Sequence, residues 1–261
     1  MKIPIYQVDA FTSGVFSGNP AAVCPLEKWL PDSTLQAIAA ENNLSETAFV
    51  VPRDGEFELR WFTPLVEVAL CGHATLAAAF VLFELRGWAG KTISFETRKS
   101  GKLLVEKKGD LLEMDFPSRP PNREMPLAGF RGVFGEALEK VLGSEEDILA
   151  VLDTEKSVRD LIPDMAALAA LDCRGIIVTA RGEKSDFVSR FFAPAVGVPE
   201  DPVTGSAHSV LTPYWAGLLR KKELHALQVS ARGGELFCRD LGERVNIAGR
   251  AVLYLEGTIS I

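Results

Sequence analysis

Two short stretches, one in each half of the chain, combine residue types that could do chemistry: Cys71-Gly72-His73-Ala74 and Thr204-Gly205-Ser206-Ala207. Each places a glycine at the start of an apolar run that suits a helix. A helix start exposes backbone N–H groups that no intrahelical carbonyl accepts, at the positive end of the dipole. Two such ends facing one another make a site for an anion, typically a carboxylate, and Gly72 and Gly205 allow close backbone approach. His73 follows Gly72, where the dipole tends to lower its pKa and favour a neutral, hydrogen-bonding imidazole. Ser206 holds the same place in the other half and could donate to a substrate oxygen. Asp201, kept extended by Pro202, could accept from an amine or hydroxyl, or set the protonation state of His73. Asn19, within Gly18-Asn19-Pro20, could touch substrate. Each has a plain structural counterpart: a helix-cap neighbour for His73 and Ser206, a loop opener for Asp201, turns for Asn19 and the glycines.

Metal chemistry finds no support in spacing. There are three histidines; His208, two residues past Ser206, has no ligand-spaced partner and reads as a core or supporting residue. Cys24, Cys71, Cys173 and Cys238 form no CxxC pair, so neither a zinc set nor a secreted disulfide framework is expected. No GxGxxG or GxxxxGK[ST] run is present, so no nucleotide cofactor is expected. Lys plus Arg number 28 against 35 Asp plus Glu, a net charge of −7 with no basic cluster, which disfavours nucleic acid. The longest apolar run, Ala74 to Phe83, is about half the ~20 residues that a membrane helix needs. The first residues lack an apolar signal core and read as a strand, so a cytoplasmic location is expected.

The elements that must position these residues follow from periodicity. Strands are expected at Ile3–Phe11, Thr47–Val51, Glu56–Phe62, Thr92–Thr97 and Leu103–Phe116, the last folded at Lys108-Gly109-Asp110. Pro31–Asn43 reads as a surface helix with Asp32 as N-cap and a stripe of Leu35, Ile38 and Ala39. Ala74–Leu85 is apolar on every side, so its helix must be enclosed by protein, for example by a strongly curled sheet. The second half reads as helices near Phe134–Leu142 and Val158–Leu171, and strands near Ile148–Leu152, Gly175–Thr179 and Phe187–Phe192. A terminal run of strands follows from Leu227 to Ile261.

The halves are related. Arg60-Trp61-Phe62-Thr63-Pro64 stands six residues before Cys71, and Arg190-Phe191-Phe192-Ala193-Pro194, 130 residues later, stands nine before Thr204. Each unit runs strand, proline stop, loop, glycine, helix, which points to a duplication. At 261 residues the chain then divides into 1–117 and 127–261, joined by 117–126 with four prolines in ten residues. Whether the last strand returns to the first domain is left open.

With these motifs, and with Val8-Asp9-Ala10-Phe11-Thr12, Gly18-Asn19-Pro20-Ala21-Ala22-Val23, Asn43-Leu44-Ser45-Glu46-Thr47-Ala48-Phe49, Glu67-Val68 and Glu200-Asp201-Pro202-Val203-Thr204-Gly205-Ser206-Ala207-His208, the chain resembles the phenazine-biosynthesis PhzF-like isomerase family over essentially its whole length. The resemblance implies an α+β fold of two pseudo-duplicated domains, as in diaminopimelate epimerase. Each would be an antiparallel sheet curled into a barrel around a central helix, with the active site in the cleft between them. It implies cofactor-independent isomerisation of a small carboxylate-bearing metabolite, with Glu46 as acid/base and His73, Asp201 and Ser206 beside the substrate. A homodimer is the family-based expectation.

Glu46 as a base needs a carboxylate of raised pKa in a dry cleft; without the family it would read as a solvated strand-end residue. The rival reading is an amino-acid epimerase or racemase, whose relatives use two opposed thiols. Here the duplication sets Thr204 opposite Cys71, and a threonine hydroxyl is far too weak an acid–base partner. A third reading is a protein that only binds a small molecule in the same cleft. The substrate itself is not legible.

Overall fold

The computed structural model describes residues 1–261. By compactness the chain divides into two units, Met1–Asp115 with Ala248–Ile261, and Phe116–Ile247. The last strand, Ala251–Ser260, lies antiparallel to the first and so belongs with the first unit, while Phe116–Pro126, read above mostly as a linker, belongs with the second.

The first unit contains β1 (Lys2–Ala10), β2 (Asn19–Pro25), β3 (Glu46–Arg53), β4 (Glu56–Phe62), β5 (Glu67–Val68), β6 (Thr92–Thr97), β7 (Lys102–Lys108) and β8 (Leu111–Pro117). Pairing runs from the C-terminal strand through β1, β2, β3, β4, β6 and β7 to β8, with β5 added to β4. The sheet is mixed, which corrects the antiparallel expectation, and these pairings do not close it into a barrel. β2 and β3 are parallel, as are β4 and β6. The cause is the two helices, because a helix in the connection returns the chain to the sheet in the same direction.

Helix α1 (Asp32–Asn42) joins β2 to β3 and buries Leu35, Ile38 and Ala39. Pro31, not Asp32, occupies its cap position; the Asp32 carboxylate instead accepts from Arg60 Nη1 at 2.9 Å. Helix α2 (Gly72–Phe80), continued by a π-helical turn over Val81–Leu85, buries every side chain from His73 to Ala79 against β1, β2 and β3. Arg60 donates twice to Glu67, at 2.7 and 2.8 Å, and lies over the rings of Trp29 and Phe62. That pairing ties β4 to β5, ahead of α2.

The second unit repeats this plan. Its strands are β9 (Arg123–Glu124), β10 (Leu138–Gly143), β11 (Asp147–Leu152), β12 (Gly175–Arg181), β13 (Phe187–Ala193), β14 (Val198–Asp201), β15 (Glu223–Gln228) and β16 (Gly234–Asp240). The parallel pairs recur at β11–β12 and β13–β15, and β14 adds to β13 as β5 adds to β4. Arg190 donates to Glu200 at 2.7 and 3.0 Å, the counterpart of Arg60 and Glu67. Helix α3 (Arg131–Phe134) is a single turn.

Two expected helices differ. Phe134–Leu142 instead leaves α3 at Phe134 and enters β10 at Leu138, which pairs antiparallel with β11; a short apolar run reads equally well with either period. Val158–Leu171 is broken at Pro163, so α4 (Glu155–Asp160) ends and α5 (Met165–Ala169) restarts from Asp164, whose carboxylate accepts from Ala166 N and Ala167 N.

Helix α6 (Gly205–Leu219) contains Pro213, which offers no N–H to Ser209 O; the Arg119 N–H of the proline-rich segment takes that carbonyl at 3.0 Å. No helix is long and apolar enough to cross a membrane.

Candidate active site

Three expected residues of the first unit meet. Asn19 opens β2, Glu46 opens β3, and the parallel register sets Glu46 beside Ala21. His73 arrives in the first turn of α2. Glu46 Oε2 lies 3.1 Å from His73 Nε2, and Asn19 Nδ2 lies 3.1 Å from His73 Nδ1. The His73 side chain is 6% exposed and that of Glu46 18%, so the carboxylate is the edge of the cluster that solvent reaches.

The ionisation differs from the sequence expectation for both residues. Burial opposes the charge on Glu46, but attraction and hydrogen bonding from His73 outweigh it and hold its pKa below the usual carboxylate value. Burial likewise opposes the imidazolium, and the neighbouring Cys71 and Glu46 more than reverse it, raising His73 well above the ordinary value. Of those two neighbours Glu46 carries the effect at neutral pH, because burial and the Glu46 charge push the Cys71 thiol up to about 11 and leave it uncharged. A dipole acting alone would have lowered His73; a carboxylate at 3.1 Å is the stronger influence. With the Asn19 amide nitrogen donating to Nδ1, the proton of a neutral His73 lies on Nε2, toward Glu46. The imidazolium form requires the amide turned over, with oxygen toward Nδ1–H.

Cys71 occupies the cap position of α2, with Sγ 3.5 Å from His73 Nδ1. One ligand atom each from Glu46, Cys71 and His73 lies within 4.8 Å of the others. This three-donor set was invisible to spacing, since Glu46 comes from β3 and the other two from the start of α2. A metal there would have to displace the thiol and imidazole protons.

The second unit builds a different cluster at the corresponding helix start. Asp201 ends β14, and its Oδ2 accepts from Thr204 Oγ1 at 2.6 Å. Gln228, buried at the end of β15, clamps this turn: its Nε2 donates to Asp201 O at 2.8 Å and its Oε1 accepts from Thr204 N at 2.9 Å. With Thr204 committed to Asp201, α6 begins without a side-chain cap, as does α2. His208, fully buried, donates from Nδ1 to Thr204 O at 2.8 Å, and burial lowers its pKa to about 4. Ser206 Oγ accepts from Arg174 Nη1 at 3.2 Å and Nη2 at 3.3 Å, and Arg174 is itself paired with Asp147, at 2.9 and 2.5 Å.

Arg174, Asp147 and Gln228 had no sequence signal. The pairing register relates the two clusters. Thr47 pairs with Phe62 and Ile176 with Phe192, so Glu46 corresponds to Gly175, and His73 corresponds to Ser206. Gly175 has no room for a side chain, because the Phe191 ring would lie 2.2 Å from its Cβ.

A model of the family described as phenazine biosynthesis-like protein matches residues 8–257. The chain belongs to that PhzF-like family. It is 55% identical to a protein named an uncharacterized isomerase in Pseudomonas aeruginosa, over all of both chains. A phenazine biosynthesis protein of the PhzF family from Enterococcus faecalis has the same structure, with a TM-score of 0.97, 48% identity and full coverage of both chains. A hydroxyproline epimerase from Agrobacterium vitis shares the fold alone, at a TM-score of 0.60 and 12% identity over 99% of this chain and 92% of that one.

Proposed function

We propose that this PhzF-like isomerase moves a proton between two carbons of a small carboxylate-bearing metabolite, with Glu46 as the acid/base and no cofactor. The observation that carries the reading is the Glu46–His73 pair: an ionised carboxylate at the solvent-reached edge of a buried cluster, held by an imidazole at 3.1 Å. In the reaction Glu46 takes a proton from one carbon, the C–H electron pair moves into the adjacent unsaturation, and the far carbon takes the proton back. Glu46 ends unchanged, so one group serves both transfers.

The pairing that keeps Glu46 ionised also makes it a weak base. A substrate group that draws the His73 proton toward itself relieves this, raising Glu46 at the moment its basicity is needed. Asn19 holds the far edge of the imidazole and sets its orientation. In the second unit, Asp201 and Ser206, with the uncapped turn at Gly205, are suited to take an amine or hydroxyl and a carboxylate.

The internal correspondence supports one base over two. The counterpart of Glu46 is Gly175 and that of Cys71 is Thr204, so neither candidate acid–base group has a twin. Solvent-deuterium exchange into candidate substrates tests this. Glu46→Gln should abolish exchange; exchange that survives in Glu46→Gln and disappears in Cys71→Ala would replace the carboxylate with a thiol mechanism.

A further inference from the structure

Where the first unit places Glu46 against His73, the second places Arg174, the residue before the counterpart of Glu46, against Ser206, the counterpart of His73. The duplicated scaffold has kept the contact and inverted its chemistry. We propose that Arg174 is a positioning residue that makes Ser206 an obligatory hydrogen-bond donor toward a carboxylate; the inference rests on the reading of the Ser206 turn as substrate-binding.

Arg174 directs two N–H groups at the single Ser206 oxygen. A hydroxyl has one proton and two lone pairs. With its lone pairs facing a guanidinium, Ser206 can only point its proton away from Arg174, and the adjacent cation polarises the O–H bond and strengthens it as a donor. Within the buried stretch Val203–Val210, Ser206 is the residue that reaches solvent. A donor at a helix start suits an acceptor-only ligand, a carboxylate, and discriminates against an amide, whose NH2 would meet another donor.

Arg174 is fixed for this task. Parallel register sets Asp147 of β11 beside Gly175, so the buried Asp147 carboxylate takes two N–H groups of the preceding Arg174. Glu146 Oε2 stands 3.6 Å from Arg174 Nε. These two carboxylates already engage the guanidinium, which is why the assignment is to orientation of Ser206 and not to direct anion capture. The guanidinium also lies 5.4 Å from the centre of the Phe191 ring, and that ring occupies the space a side chain at Gly175 would need.

The test is titration of the wild-type protein with acetate and benzoate, and with benzamide, followed by the NMR signals of the Gly205 and Ser206 amides. Saturable carboxylate binding, absent for benzamide, is expected. Ser206→Ala and Arg174→Gln should each weaken it about tenfold, the worth of one charge-assisted hydrogen bond, and the double variant should be no weaker than Ser206→Ala. Arg174→Lys keeps the charge beside Asp147 but cannot donate twice to Ser206; it should lose most of the same factor, and it carries the test if Arg174→Gln does not fold. Should Ser206→Ala weaken binding while both Arg174 variants leave it unchanged, the role of Arg174 is refuted and the Ser206 reading stands. Should no carboxylate bind, or Ser206→Ala have no effect, the reading of the turn falls and this inference with it.

Discussion

Removing the Glu46 charge by Glu46→Gln should destabilise the protein most strongly between about pH 4.5 and 6.5. At 3.1 Å and an effective dielectric of about 20, the gross attraction between carboxylate and imidazolium is about 5 kcal/mol. Burial of both ions offsets much of this. The glutamine amide oxygen can still accept from Nε2–H, so the net loss is about 1–3 kcal/mol. With an unfolding entropy of roughly 2 cal/mol/K per residue over 261 residues, each kcal/mol is about 2 °C, giving a fall in Tm of about 2–6 °C.

The pH window follows from the two directions of shift. Glu46 is lowered on folding, so its stabilisation is present above the unfolded value of about 4.5 and is lost as pH falls through the folded one. His73 is raised, so its stabilisation is fully present below about 6.5 and is lost as pH rises through the folded value. A thermal-melting double-mutant cycle with Glu46→Gln, His73→Asn and the double variant, run from about pH 5 to 10, measures the coupling. A coupling near zero at about pH 6, or one that does not diminish at the alkaline end, would refute the ion pair.

Other consequences are as direct. All four cysteines are held above their ordinary range, with Cys71 and Cys173 at about 11 and Cys24 and Cys238 at about 12; iodoacetamide at about pH 8 should label the native protein slowly and the urea-unfolded chain at every site, as peptide mass spectrometry would show. Arg60→Ala should cost about 1.5–3 kcal/mol by removing the charge-assisted hydrogen bonds to Glu67, whereas Arg98→Ala, on a half-exposed side chain, should cost less than about 1 kcal/mol in urea unfolding. His208 is lowered to about 4, so its contribution is present above about 6.5 and drains as pH falls toward 4; a neutral replacement should flatten that limb of the stability curve by up to roughly 3 kcal/mol. Gly175→Ala should cost about 1–3 kcal/mol by displacing Phe191 and should weaken carboxylate binding through Arg174.

Much of the molecule was legible in the chain. The pair Arg60-Trp61-Phe62 and Arg190-Phe191-Phe192 exposed the duplication because both arginines make the same buried contact, with Glu67 and with Glu200. The enclosed helix after Gly72 was legible because a segment apolar on every side has no face for water. Strand direction was not, since alternation of apolar residues is the same in parallel and antiparallel pairs. β10 was missed because six residues with Gly143 at the end carry too few periods to separate strand from helix.

Sequence by itself determined which groups are available: a carboxylate, an imidazole, a hydroxyl and two glycine-led helix starts, at related places in two halves. Tertiary structure decided their states. Whether His73 is neutral or cationic depends on which charge stands beside it, and a residue from another strand reverses what its own helix dipole would do. That Ser206 Oγ accepts from Arg174 follows from Asp147, which the register of β11 against β12 sets beside Gly175 to hold the guanidinium. Local sequence sets propensity and pattern, but electrostatic and hydrogen-bond energies depend on distances of a few ångströms between residues that only folding brings together.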